Sequence, residues 1–351
     1  MSRLHVMGRL GIAALVAAVV AGCAAPVRMT TTTTPTHGCR VASDAAVTWV
    51  HPVDPGERAA LDHRCAQVAP PLVRLGSVPL RPAARVVIAT WNMHDGRGDV
   101  LALARDLASG AGEPPPDAVI LLLQEVVRAT APARAGDDRE DTGVRDVPAV
   151  IADLGWHLAY VPGKRNRLEP AGAAAADRGT ALLSTLPLND LAAIELPVER
   201  QRRVALSGHV QGVTPDGHPW RLRLVSVHLE NRSGARRAWV RAGASRTRQA
   251  EALVEALGFD AHAPGADDNG VVLGGDLNTW LGDDEQALRL LRETFPQGPP
   301  PDPRPTMRNG WRLDHVFVRL PPDVTATHRR LDSMYGSDHY PVVTTLAFGA
   351  R

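Results

Sequence analysis

The chain has 351 residues, with 39 Lys and Arg against 38 Asp and Glu, for a formal net charge of +1. A charge so near zero excludes whole-molecule attraction to nucleic acid as a guide to function. All basic side chains except Lys164 are arginine, which reads first as genomic base bias and only weakly as a preference for phosphate.

In chain order, Arg3 and Arg9 flank the start of an apolar run, Leu10 to Val20. That run is too short for a comfortable membrane span. It ends in Val20-Ala21-Gly22-Cys23, which resembles the bacterial lipobox. The resemblance implies a signal peptide over 1–22, cleavage before Cys23, lipidation of its thiol, and export with the protein held at the membrane through its N-terminal lipid, on the outer face or in the periplasm. The alternative is an ordinary secretory signal in which Cys23 is incidental; the protein is exported either way. Cys39 and Cys65 then remain of the three cysteines, and an even pair in an oxidising compartment reads as one disulfide. Residues after Cys23, with Thr30 to Thr34, lack apolar periodicity and read as a flexible tether. The expected division is signal 1–22, tether and extension 23–80, and one large domain 81–351, expected as a monomer.

Within that domain Val86–Ala89 predicts a buried strand and Val100 onward a helix. Ala118 to Leu123 predicts a second buried strand, ending at Gln124-Glu125, with a charged loop over 129–147. A short helix over 148–154, a strand over 156–161 and a strand over 180–183 follow. Strands over 204–210 and 220–228 flank Thr214-Pro-Asp-Gly217, a hairpin turn. A helix is expected over 236–257, a strand over 271–273, a helix over 284–295, and strands over 313–318 and 340–346. Asp283, Asp284 and Glu285 read as carboxylates opening a helix, where the dipole favours them. The arginines between Arg232 and Arg248 read as a solvated helix face before a phosphate-binding one. Crossovers plus a hairpin indicate a mixed-sheet α/β domain.

Several apolar runs open or close on a polar residue: Asn92, Glu125, His228, Asp276 with Asn278, Asp314, and Asp338 with His339. Strand ends that open into loops are where ligands bind in sheet folds. Oxygen-rich donors suit a hard cation such as Mg²⁺, with Mn²⁺ or Ca²⁺ as alternatives, and no Cys/His set for zinc is visible. Singly, each residue has a plain structural reading as a cap, a solvated strand end or a hydrogen-bonded core group. Their order changes the weight. Thr90-Trp-Asn92, Leu123-Gln-Glu125, Arg178-Gly-Thr-Ala-Leu-Leu-Ser184, Val227-His228-Leu, Gly275-Asp-Leu-Asn278, Leu313-Asp314-His and Gly336-Ser-Asp-His339-Tyr-Pro follow one another.

This series resembles the endonuclease/exonuclease/phosphatase superfamily, which includes deoxyribonuclease I. The resemblance implies a four-layer α/β sandwich of two packed mixed sheets with the site at one edge. It further implies that Asn92, Glu125 and Asp338 hold Mg²⁺, and that Asp276 orients or deprotonates the attacking water. Asn278 would bind the phosphate, His339 would contact it or move a proton, Asp314 would fix the His339 tautomer, and His228 would bind phosphate or protonate the leaving group. The buried Asn92 amide would be satisfied by metal-bound water, phosphate or Glu125. Arg178 either reaches a phosphate or makes a structural salt bridge, and His94 and Asp95 read as a turn. The expected function is metal-dependent phosphoester hydrolysis, first as a nuclease or general phosphodiesterase acting on nucleic acid. The alternatives are a sphingomyelinase-like enzyme acting on phospholipid headgroups, an inositol phosphate phosphatase, and an inactive binding module.

Overall fold

The structure is a computed structural model of the chain. It describes residues 27–32, 47–110, 112–128, 146–165, 177–231, 239–258, 270–296 and 298–349. The signal peptide, Cys23 and Cys39 lie outside the described residues, as do Arg232 to Arg237.

One sheet runs β1 (Met29–Thr32), β2 (Val47–Pro52), β8 (Asn189–Glu195), β9 (Val204–Val213), β10 (Pro219–His228), β11 (Val271–Asp276) and β12 (Asp314–Arg319), in that spatial order. The other runs β13 (Val324–Arg330), β14 (Val342–Phe348), β4 (Arg85–Asn92), β5 (Ala118–Arg128), β7 (Asp177–Ser184), β6 (His157–Arg165) and β3 (Leu72–Arg74). Each is mixed: β4 is parallel to β5, and β10 to β11, amid antiparallel neighbours.

Three apolar clusters fix the layer order. Val86, Ile88, Ile120 and Leu122 of one sheet meet Leu206, Leu222, Leu224 and Val272 of the other. The outer side of the β4–β5 sheet packs Ala89, Leu121 and Leu123 on Leu103 and Leu107 of helix α2 (Val100–Ala108). The outer side of the other sheet packs Val225 and Leu273 on Leu253 of α4 (Trp239–Ala256) and Leu291 of α5 (Gln286–Thr294). Strand side chains alternate between faces, so a strand covered on both sides must be apolar throughout. That is why β4 and β5 read as unbroken runs. The result is the expected four-layer sandwich.

The N-terminal extension behaves differently from the reading as a tether. Met29–Thr32 pairs with β2, β2 pairs with β8, and β3 pairs with β6. The described part of 23–80 therefore contributes edge strands to both sheets. Helix α1 (Pro55–Cys65) links them, with the Asp54 carboxylate accepting from Glu57 N at its N-terminus. Cys65 is disulfide-bonded; its expected partner, Cys39, is not among the described residues.

Candidate active site

Parallel pairing sets the first part of the site. Asn92 is the last residue of β4 and lies beside Gln124 of β5. The β5–β7 register then shifts between Leu123 and Val126, and Glu125 sits in that irregularity at φ 55°. Such a bulge re-aims one side chain while the strand continues. In the other sheet, His228 ends β10 and pairs with Asp276 at the end of β11, which pairs with Asp314 at the start of β12. Register alone thus puts three titratable groups in a row, and the two rows face each other across the sandwich.

The side chains join the rows. Asn92 Nδ2 donates to Asp276 Oδ2 at 2.9 Å, and its Oδ1 accepts from His94 N at 2.9 Å. Of the partners expected for this amide, Glu125 is replaced by Asp276 and the following turn. Asp276 Oδ1 accepts from Asn278 N at 2.9 Å, and Asn278 Nδ2 donates to Leu229 O at 3.0 Å. The Asn278 amide keeps a second N–H for a ligand. His228 Nε2 lies 3.5 Å from Asp276 Oδ2, and its Nδ1 lies 3.9 Å from Glu125 Oε1. His339 Nδ1 and Asp314 Oδ2 are 2.7 Å apart. Below them Thr306 Oγ1 accepts from Leu313 N and Asp314 N at 2.9 and 3.0 Å, fixing the start of β12. Ser337 Oγ donates to Asn92 O at 2.7 Å and accepts from His339 N at 3.0 Å, while Trp91 Nε1 donates to His339 O at 3.0 Å. The His339 loop is thereby tied to the end of β4.

Electrostatics separates the roles. Burial and the charge of Asp314 push Asp276 up to about 6. Burial pushes His339 down, but the charge and hydrogen bond of Asp314, with Asp276 and Asp338, outweigh it and raise His339 to about 10. Burial, then the charges of Arg203 and Lys164, hold His228 well below its ordinary value, so it is a neutral imidazole. Burial raises Glu125.

The residues fit a hard divalent cation. Asp276, Asp314 and His339 offer atoms all within 4.8 Å of one another, and buried Asp314 Oδ1 has no hydrogen-bond partner. A buried unpaired oxygen costs about 1–3 kcal/mol unless a partner arrives. His339 is held as an imidazolium and lacks a lone pair to give, so oxygens must supply the coordination. This tight cluster differs from the expected set of Asn92, Glu125 and Asp338. Asp338 stands at its edge, with Oδ1 3.8 Å from His339 Nε2 and 3.5 Å from His94 Nδ1.

Arg178 makes a salt bridge: it pairs with Asp95, and its Nη1 lies 3.3 Å from Glu125 Oε2. Asp95 N also donates to Glu125 Oε2 at 3.0 Å. Two local readings hold and gain a role. The His94–Asp95 turn, at φ 49° and 54°, clamps Glu125. Glu285 does open helix α5, and it is also fully buried, with Arg246 Nε and Nη2 donating to its two oxygens at 3.0 Å each. Arg203 was missed altogether. The signal was present, because Leu206 pairs with Ser226 in the hairpin. Continuing that register brings Val204 level with His228 and Arg203, just before β9, level with Leu229.

A sandwich of two mixed sheets, each seven-stranded among the described residues, with acids, imidazoles and amides gathered across one edge, is the architecture of the deoxyribonuclease I-like proteins. The chain belongs to the Endonuclease/Exonuclease/phosphatase family, which it matches over residues 89–339. Among solved structures it resembles the endonuclease/exonuclease/phosphatase from Beutenbergia cavernae, with a TM-score of 0.54 and 21% identity over 76% of this chain and 72% of that one. Sphingomyelinase C from Streptomyces griseocarneus aligns with a TM-score of 0.43 and 18% identity over 76% of this chain and 99% of that one. An inositol polyphosphate 5-phosphatase domain, solved with inositol (1,4)-bisphosphate and calcium, aligns with a TM-score of 0.42 and 13% identity over 79% of this chain and 85% of that one. No curated protein matches.

Proposed function

We propose that the protein is a divalent-metal-dependent phosphodiesterase that cleaves a phosphoester by in-line attack of water. One observation carries this reading. A buried carboxylate, Asp276, is held by two amide groups, beside a neutral imidazole and a buried Asp314–His339 pair.

Asp276, raised toward neutrality, orients the water and takes its proton. The second Asn278 N–H and the neutral His228 ring bind nonbridging oxygens. His339, kept protonated by Asp314, faces developing negative charge and can return a proton. Asp314, through its unpaired oxygen, and Asp338 at the cluster edge would hold Mg²⁺, Mn²⁺ or Ca²⁺, with Glu125 and Asn92 carried over from the sequence resemblance. When bound, the cation would supply charge neutralisation on the phosphoryl and leaving oxygens. The same reading includes export and a lipid anchor at Cys23.

The test is hydrolysis of bis-p-nitrophenyl phosphate with Mg²⁺, with EDTA, and in the Asp276→Ala and His339→Ala variants. We expect metal-dependent turnover that each substitution lowers by about 10²–10⁴-fold. Absence of metal-dependent turnover on this ester and on DNA, RNA, sphingomyelin and inositol phosphates would leave the binding-module alternative standing.

A further inference from the structure

Beside the Asp276 cluster, on the side of Glu125 and His228, lies a small cavity whose other polar walls are Thr180, Lys164, Arg178, Arg203 and Arg202, the last paired with Glu195. The cations come from both sheets. Lys164 and Arg178 face each other in the β6–β7 register, and Arg203 is the residue before β9. Arg178 is engaged by Asp95 and Glu125, and Lys164 by Gln201. Arg203 is different. Its side chain is 7% exposed, and its ion-pair contact with Glu230 Oε1 is 3.9 Å long. Its buried Nε, like that of Arg178, has no hydrogen-bond partner. Arg203 is close enough to Arg178 that burial and this like charge bring Arg178 down to about 10. Two guanidinium groups lining one cavity, each with an unmet buried Nε, are an expensive arrangement without an anion. Glu125, Glu230 and Asp276 offset the charge of Arg203 from a distance, but none accepts from Nε.

We propose that Arg203, with Lys164 and Arg178, forms a second anion subsite that takes a phosphoryl group one linkage away from the ester being cleaved. The proposal rests on the hydrolase reading for the ester, and on the cavity alone for the anion. Guanidinium forks match phosphate oxygens geometrically and in charge. The subsite favours substrates with repeated phosphates, such as a polynucleotide or a multiply phosphorylated polyol. It disfavours a zwitterionic choline headgroup, whose ammonium would meet three like charges.

Two measurements test it. The first is calorimetric titration of inorganic phosphate in EDTA into the wild type, Arg203→Gln and His339→Ala. Arg203→Gln should weaken binding about ten- to a hundredfold, while His339→Ala retains it. The second is the ratio of kcat/KM on thymidylyl-thymidine with and without a 5′-phosphate, with an inositol bisphosphate as a further arm. The wild type should prefer the 5′-phosphorylated dinucleotide or the inositol bisphosphate, and which of them it prefers assigns the source of the second phosphate. In Arg203→Gln the preference should collapse. Phosphate binding equal in Arg203→Gln and the wild type, or a ratio unchanged by the substitution, overturns the subsite. If no ester is turned over, the hydrolase reading fails and the titration alone judges the subsite. Circular dichroism checks folding, and if Arg203→Gln unfolds, Lys164→Gln takes its place in both measurements.

Discussion

At the scale of single residues, the proposed mechanism makes the pairing of Asp314 with His339 the control on working pH. The carboxyl of Asp276 must lose its proton to act, so turnover should rise as pH climbs through about 6. The His339 ring must keep its proton, so turnover should fall only as pH approaches about 10. Asp314→Asn removes the charge that raises His339 against its burial. The alkaline limb of the kcat profile should then move down toward the ordinary histidine range, with the acidic limb at or below its former place. Raising the metal concentration favours ionised carboxylates and should shift the acidic limb downward, with protons released on binding. An alkaline limb unmoved by Asp314→Asn would remove His339 from the proton transfer. The acids, amides and histidines of this cluster were legible in the sequence because each sits where an apolar run meets a loop. Their partners were not. The Asp95–Arg178 ion pair and the 2.9 Å Asn92–Asp276 hydrogen bond join residues far apart in the numbering, and only the folded register shows them.

At the scale of elements, Arg246 decides how the loops around the site are held. From α4 it makes the bidentate pair with Glu285, and its Nη1 donates to Glu230 O and Asn231 O at 3.4 and 3.3 Å. Glu285 Oε2 also accepts from Leu281 N at 3.4 Å. One guanidinium therefore fastens the segment after His228 to the segment after Asn278. Arg246→Met leaves a buried carboxylate alone and should cost about 3–5 kcal/mol, read from urea unfolding, whereas replacing both partners with methionine should cost far less. Comparable losses for the single and double variants would show that the pair is not what secures these loops. The same scale shows which elements sequence reasoning reaches. Strands β4, β5, β10 and β11 were visible because burial on both faces leaves long apolar runs. Strands β8, Asn-Asp-Leu-Ala-Ala-Ile-Glu, and β13, Val-Thr-Ala-Thr-His-Arg-Arg, were not. Their exposed polar positions and short apolar content look like loop, and pairing partners decide the matter. Strand β1 hides in a run of threonines, which have β propensity but no period.

For the whole molecule, the extension is where location and fold meet. Its described part is paired into both sheets, so a lipid on Cys23 would tether a domain whose edge strands begin a few residues later. In a bacterial host the full chain should fractionate with membranes, and Cys23→Ser should release it without lowering turnover of bis-p-nitrophenyl phosphate. A wild-type chain found wholly in the soluble fraction would remove the anchor.

Thr90, Leu122 and Gly274 meet where the two sheets touch. A β-carbon at 274 would lie 2.8 Å from Leu122 Cδ1 and 2.9 Å from Thr90 Cβ. Asn92 stands two residues beyond Thr90, and Asp276 two beyond Gly274. The absence of a side chain at 274 therefore lets the two sheets approach closely two residues below the Asn92–Asp276 hydrogen bond. The surrounding loops are then free to diverge and recognise new esters without detuning the reacting atoms.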